Sequence, residues 1–354
     1  MSKITLGIIG LNYGLSVQLP AFRSDSRCEV AAIAGRDAAR TREAARSGDI
    51  ARSYEDWRML VADPAIAAVA IATPPEMQSA IAIAALRAGK AVFAEKPMAA
   101  DLAGARAMVE AARASGRPAM IDFNFHEIAV WQRAKALLND NALGAIRHIA
   151  VDWHIENRSI QMRQRNWKTL NGTGGGVLGN FVSHCFHYLE WFGGPLTRLS
   201  ARVSGLPGDP DLQTTAVMAL DFESGAVGSL SMSCASYGGG GHRIEIYGEN
   251  GTLMLSNPGP DHMRGFELRF GARPAALARI PVDDPLDAQY PGDGRIAPVA
   301  RLAKRFFDAI ENGSPATPGF AEGYRVQKLI DAAQRSDRQG IALDVRPAML
   351  ESGA

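Results

Sequence analysis

The stretch Gly7-Ile8-Ile9-Gly10-Leu11-Asn12-Tyr13-Gly14-Leu15 decides how the rest of the chain is read. It joins an apolar run at residues 4–9 to a helix-like segment at 18–24. A glycine-rich turn between a strand and a helix lets backbone N–H groups approach a pyrophosphate, and the helix N-terminus adds positive potential. The pattern here is irregular. Counted from Gly10, the second glycine position of G-x-G-x-x-G is Asn12 and the third is Leu15, with Gly14 one place early. Taken alone, these residues fit both a plain turn and a dinucleotide loop. Their place at the head of a βαβ pattern favours the second, with Gly10, Leu11, Asn12, Tyr13 and Gly14 as cofactor contacts.

Working outward, short apolar runs alternate with helix-like stretches through the first third of the chain. Residues 4–9, 30–34, 68–72, 92–94 and 119–122 predict strands; 18–24, 37–46, 54–61, 77–88 and 102–115 predict helices. Asp101 stands where an N-cap belongs and Gly89 where a helix ends. Strands apolar at every position are buried on both faces, as a doubly wound parallel sheet requires. After Asp122 the rhythm changes. Helices at 128–138 and 176–191 flank a strand at 146–155, and strands follow at 199–203, 214–222, 226–234, 243–247 and 252–255. Short turns between them predict an open, mostly antiparallel sheet. Residues 256–294, rich in Pro, Gly and Asp, read as extended loop, and helices at 296–311 and 320–335 close the chain. The expected fold is α/β: a Rossmann-type, doubly wound parallel sheet over residues 1–122, then an α+β domain over 123–354 for substrate binding and oligomerisation. The C-terminal helices of the latter can pack back on the first domain.

At 354 residues the chain exceeds one ordinary core, in line with two domains. Its 47% hydrophobic and 21% charged residues describe a globular protein and exclude a disordered one. A net charge of +1 offers no field for nucleic acid or an anionic membrane. Cys28, Cys185 and Cys234 are widely spaced and odd in number, so neither a disulfide framework nor a metal site is expected. Met1-Ser2-Lys3 leads straight into the first strand with no cleavable apolar region, and no apolar stretch reaches the roughly 18 residues of a membrane span. A soluble cytoplasmic protein is the expectation.

The second strand ends Ala34-Gly35-Arg36-Asp37. NAD-preferring sites commonly place an acid here to accept from the adenosine ribose hydroxyls. Arg36 instead offers a guanidinium suited to a 2′-phosphate and to stacking on adenine. The competing reading is a solvated Arg36, with Asp37 capping the next helix. The geometry favours NADP over NAD.

Three further segments carry the argument: Ala72-Thr73-Pro74-Pro75, Ala94-Glu95-Lys96-Pro97, and Gly174-Gly175-Gly176-Val177-Leu178-Gly179-Asn180-Phe181-Val182-Ser183-His184. With Gly248-Glu249-Asn250-Gly251-Thr252 they make a chain that resembles, over nearly its whole length, the Gfo/Idh/MocA oxidoreductases, which include glucose–fructose oxidoreductase and inositol dehydrogenases. The resemblance implies an NAD(P)-dependent dehydrogenase or reductase acting on CH–OH groups of a sugar, polyol or related cyclic alcohol or ketone. Thr73, Pro74, Glu95 and Lys96 join the expected cofactor contacts, since ends of parallel strands face the crevice where cofactor and substrate meet. Pro97 biases Lys96 toward an extended shape, and its ammonium can stabilise charge on the reacting oxygen.

The family pattern puts a catalytic histidine at His184, which implies that His184 accepts or donates the substrate hydroxyl proton. Asn180 stands where the family has an acid. An amide can orient His184 but contributes no negative charge, so the imidazolium is less favoured. Asn180, His184 and His187 share one face at helical spacing. Gln78 stands where a histidine commonly follows T-P-P, and His126 where an arginine is frequent; both are expected to reshape substrate contacts. Asn124 keeps the family residue. The substrate-contacting set is therefore Lys96, Asn124, His126, Trp167, Asn180 and His184. Around Trp167, Arg158, Arg163, Arg165 and Lys168 suit an anionic sugar, although a solvated loop or subunit contact explains them more simply.

Two other readings belong to different classes. One is a non-catalytic dinucleotide or sugar sensor, motivated by the irregular glycine loop and Asn180. The other is a glycosidase that uses tightly held NAD for transient oxidation. A homodimer or homotetramer built on the open sheet is implied by the resemblance.

Overall fold

The structure, a computed structural model, describes residues 3–170, 172 and 174–347. The chain begins with β1 (Ile4–Ile9), a π-helical turn (Gly14–Gln18) running into α1 (Leu19–Arg23), β2 (Cys28–Ala34), α2 (Ala38–Ser47), β3 (Arg52–Tyr54) and α3 (Trp57–Ala62). It continues through β4 (Ala68–Ile71), α4 (Pro75–Arg87), β5 (Ala91–Ala94), α5 (Leu102–Ser115), β6 (Ala119–Ile121) and a 3₁₀ turn (Phe125–Glu127). Next come α6 (Ala129–Asn139), β7 (Ile146–His154), α7 (Arg158–Gln161), and a second π-helical turn (Leu178–Val182) leading into α8 (Ser183–Gly193). The strands β8 (Leu196–Leu206), β9 (Asp209–Phe222), β10 (Val227–Ser233), β11 (Gly241–Gly248), β12 (Gly251–Asn257), β13 (Glu267–Ala272) and β14 (Ala278–Ile280) follow. Last are α9 (Pro285–Ala288), α10 (Ile296–Asn312), α11 (Phe320–Gln339) and β15 (Leu343–Asp344).

Two compact units result. One joins the chain up to Glu127 with Leu286–Gln327; the other joins Ile128–Pro285 with the residues from Lys328 onward. The boundary expected at Asp122 thus falls inside the first unit. The turn Phe125–Glu127 is held there by α10: Arg301 Nη1 donates to the Glu127 carbonyl at 2.8 Å, and Arg305 Nε pairs with Glu127 Oε1 at 2.9 Å.

In the first unit six parallel strands run in the order β3-β2-β1-β4-β5-β6. β4 and β5 are buried at every residue, as strands covered on both faces must be. Side chains set the helix starts: Asp37 accepts from Arg40 N, Asp56 from Arg58 N and Asp101 from Gly104 N. On one side of the sheet α10 closes the core. Phe22 meets Phe93 edge-on at 5.3 Å between ring centroids, Phe93 meets Phe306 at 5.7 Å, and Phe22 meets Phe307 at 6.0 Å. All four rings are fully buried, a contribution of roughly 1.5–3 kcal/mol each. Arg27 ties the same layer together through Asp25, Asp308 and Glu311.

The second unit carries a nine-stranded sheet, β14-β13-β12-β11-β7-β10-β9-β8-β15. β7 and β10 are parallel neighbours, and the other pairs are antiparallel. On β9, Thr214, Ala216, Met218, Leu220 and Phe222 are buried while Val217 on the opposite face is 51% exposed. Trp131 of α6 packs edge-on against Tyr188 of α8 at 5.0 Å on the covered face.

Residues 256–294 are not simply extended loop: β13, β14 and α9 lie within them. Tyr54, expected to open a helix, instead ends the strand β3. Each of these strands lies at or beside a sheet edge, where polar residues are tolerated and the apolar run that marks a central strand is missing.

Candidate functional site

At the end of β1, Gly10 has φ +121°, and a Cβ there would sit 2.3 Å from the Ala72 carbonyl oxygen. Only glycine lets the loop cross so close to the end of β4. Gly14 performs the helix-packing task one place early, since a Cβ there would come 2.7 Å from Ile8 Cγ2. Asn12 is not among the residues of positive φ, and its carbonyl accepts from Leu15 N at 3.2 Å and Ser16 N at 3.0 Å. The departure from G-x-G-x-x-G is therefore met by a different first turn, the π-helical one, rather than by strain. Leu11 and Tyr13 pack against the unit's apolar core.

At the end of β2, Arg36 is exposed and makes no ion pair among the described residues. Asp37 is engaged as the cap of α2, accepting from Arg40 N at 3.0 Å. At the end of β4, Thr73 and Pro74 precede α4, whose first residue is Pro75. Gln78 was expected to reshape substrate contacts; instead it is fully buried and its Nε2 donates to the Pro97 carbonyl at 2.7 Å. It fixes the turn after Lys96 from behind. A glutamine reaches that carbonyl with an amide N–H, and nothing in the apolar pattern around it announced the contact.

The ends of β5 and β6 bring together more than the sequence motifs indicated. Gln18 Nε2 donates to Glu95 Oε1 at 3.2 Å, Tyr13 Oη donates to Asp122 Oδ2 at 3.2 Å, and Asn124 Nδ2 donates to Tyr13 Oη at 3.4 Å. Glu95 and Asp122 also hydrogen-bond to each other. Burial, then the negative charge of Asp122, pushes the Glu95 carboxyl well above its ordinary range. Burial also raises Asp122, opposed by hydrogen bonds from Glu95 and Tyr13 and by the charges of Lys96 and His126. The Tyr13 hydroxyl is held protonated, by burial first and then by Asp122. His126 is buried, with Nε2 3.1 Å from Glu127 Oε1. The one sequence signal for Asp122 was a lone charge closing the apolar run Ala119-Met120-Ile121.

In the second unit His184 is buried on α8, and Asn180, in the π-helical turn that precedes it, is half-buried, as is His187. Behind them lies a dense aromatic support. Tyr188 Oη is 2.9 Å from His242 Nε2 and 3.0 Å from Cys185 Sγ, and the Trp153 ring stacks on His242 at 4.2 Å and 1°. Burial, then neighbouring His262, pulls His242 well below the ordinary histidine range, so it is neutral. Trp167 is half-buried with Lys168 Nζ 5.7 Å from its ring centroid. Of the basic side chains around it, Arg165 is paired with Asp209, while Arg158 and Arg163 are exposed.

The first unit fits a bound dinucleotide on two counts. Gly10 leaves backbone at the strand end bare, and the Thr73 hydroxyl is buried at the switch between β1 and β4 with no partner among the described residues. Among those residues no cluster of three or more His, Cys, Asp and Glu gathers as for a metal ion, and no helix is long and apolar enough to cross a membrane.

These features define a nucleotide-binding oxidoreductase. Residues 4–123 match the oxidoreductase family with an NAD-binding Rossmann fold, and residues 131–254 match the GFO/IDH/MocA C-terminal domain. The chain belongs to the GFO/IDH/MocA family, a dehydrogenase family using NAD(P). An uncharacterized oxidoreductase of Synechocystis sp. is 32% identical over 353 residues, 95% of each chain. Levoglucosan dehydrogenase of Pseudarthrobacter phenanthrenivorans is 27% identical over 344 residues, 86% of each. A solved levoglucosan dehydrogenase in complex with NADH and levoglucosan superposes with a TM-score of 0.87 at 25% identity, covering 97% of this chain and 100% of that one.

Proposed function

We propose that this protein transfers a hydride between a nicotinamide dinucleotide and a sugar, polyol or related cyclic alcohol or ketone, with NADP the preferred cofactor. The observation that carries the reading is Lys96, at the end of β5 in an NAD-binding fold, beside the carboxyls of Glu95 and Asp122 at the paired ends of β5 and β6. When bound, the cofactor supplies or takes the hydride at its nicotinamide ring. Lys96 holds the reacting oxygen and stabilises the charge that develops there. His184 exchanges the hydroxyl proton, and Asn180 orients its ring. Asn124, His126 and Trp167 complete the substrate contacts. Gly10, Leu11, Asn12, Tyr13 and Gly14 line the pyrophosphate, with Thr73, Pro74 and Glu95 at the neighbouring strand ends.

The preference for NADP rests on Arg36, exposed and without an ion pair among the described residues while Asp37 is occupied as a cap. The open face of the second sheet, with Val217 and Val227 about half exposed, supports self-association into a homo-oligomer. Three buried, unpaired cysteines support a cytoplasmic setting.

The test is a panel of sugars, polyols and sugar acids with each cofactor in turn, followed by nicotinamide absorbance at about 340 nm. Turnover of a member of the panel supports the reading. Stoichiometric cofactor binding with no turnover across the panel overturns it in favour of a sensor, the reading that Asn180 favours.

A further inference from the structure

The strand order reverses between β1 and β4, so the crevice half over β4, β5 and β6 is the one that takes the second mononucleotide, the nicotinamide. There the run Asn124–Tyr13–Asp122–Glu95–Gln18 is continuous. Asp122 is 1% exposed and Gln18 0%. Charged and titratable groups face the pair from every element around it. Lys96 comes from the turn after β5, His126 from the turn after β6, and Tyr13 from the glycine loop. Arg295, just before α10, lies 5.4 Å from the centre of the Tyr13 ring and is itself paired with Asp293. Glu95 is half-buried at the strand end beside Asp122, whose N–H donates to the Ala94 carbonyl at 2.8 Å, and two carboxyls that meet at such a place hold one proton between them rather than ionising together.

We propose that Asp122 is a positioning residue that shares a single proton with Glu95, and that the pair releases this proton when an oxidised nicotinamide occupies the crevice and keeps it when the reduced ring does. The inference rests on the cofactor reading above. The oxidised ring carries a positive charge that the reduced ring lacks. A cation beside Lys96 makes a second negative charge on the pair affordable, and the proton passes to bulk water. Once the ring is neutral, the pair takes a proton back. The site thereby keeps its net charge through the redox change, and Lys96 meets similar surroundings with either form. Through its bond to Tyr13, Asp122 also ties the glycine loop to the strand end that carries Lys96.

Isothermal titration calorimetry of the full chain with oxidised and with reduced cofactor, at about pH 7 in phosphate and in Tris, counts the protons exchanged on binding. The two forms differ only in the nicotinamide ring, so the difference in count isolates it. The oxidised form is expected to release at least about 0.3 proton more than the reduced one. In Asp122→Asn that difference vanishes while cofactor still binds; Asp122→Ser serves as the second variant if Asp122→Asn does not fold. Equal counts in the parent overturn the proposal, as does a difference that persists in the folded variant, which would leave Asp122 a purely structural role. Failure of the parent to bind either form would instead overturn the cofactor reading.

Discussion

Gly10→Ala tests whether the glycine loop is held as described. The substitution meets two costs at once. At φ +121° an L-residue is strained, by about 1–3 kcal/mol. Its Cβ would also stand 2.3 Å from the Ala72 oxygen and 2.8 Å from the Ala72 carbonyl carbon, backbone atoms that cannot rotate away. Overpacking of this kind costs about 1–3 kcal/mol more. The sum, about 2–6 kcal/mol, corresponds to a fall in Tm of roughly 4–24 °C for a unit of this size. Relief requires β1 and β4 to part at the strand ends where a dinucleotide sits, so cofactor Kd should rise at least about tenfold. Gly116→Ala is the control: its φ is +62° and a Cβ there would meet nothing within 4 Å, so only strain of about 1–2 kcal/mol applies and cofactor Kd stays unchanged. Differential scanning calorimetry and fluorescence titration with NADH and NADPH read both effects. A Gly10→Ala protein that matches the parent in Tm and Kd refutes the reasoning.

Other outcomes follow from the same geometry. Lys96→Ala should lower kcat by at least about 10²-fold with cofactor Kd within a few-fold, measured by stopped-flow and titration; undiminished turnover removes Lys96 from the chemistry. Arg36→Ala should weaken NADPH binding about tenfold and leave NADH unchanged, since only the former has a 2′-phosphate to lose. Because burial keeps His242 neutral in the fold, the unfolded chain binds more protons below about pH 6.5. Stability of the second unit is therefore full above that value and declines as pH falls toward the depressed folded value; urea midpoints from about pH 7.5 to 5 should show the decline, and His242→Gln should flatten it.

The parallel sheet was legible because β1, β2, β4, β5 and β6 are apolar runs buried from both sides. The order of turns, strands and glycines then named the loop and the lysine. Edge strands such as β3 and β14 escaped because their short polar sequences carry no such run. The carboxyl pair escaped for a different reason: Glu95 and Asp122 lie far apart in the chain, and parallel pairing of β5 with β6 alone makes them neighbours. Gln78 looked like a substrate contact from its place after Thr73-Pro74-Pro75, yet it is buried and its Nε2 donates to the Pro97 carbonyl. The roles of Asn180 and His184 rested on the family resemblance, and the π-helical turn that carries Asn180 has no signature in hydrophobic periodicity.

The return of α10 to the first unit has a consequence for synthesis. When the ribosome has finished Glu127, all six strands of the parallel sheet exist, but the helix that covers Phe22 and Phe93 does not. Residues 128–295 are made first, which takes roughly 10–30 s at about 5–20 residues per second. Throughout that interval the nascent sheet presents a greasy face with its own lid still untranslated. Early folding and early exposure are thus the same event, and a gene cut after codon 127 would encode a sheet with one layer missing.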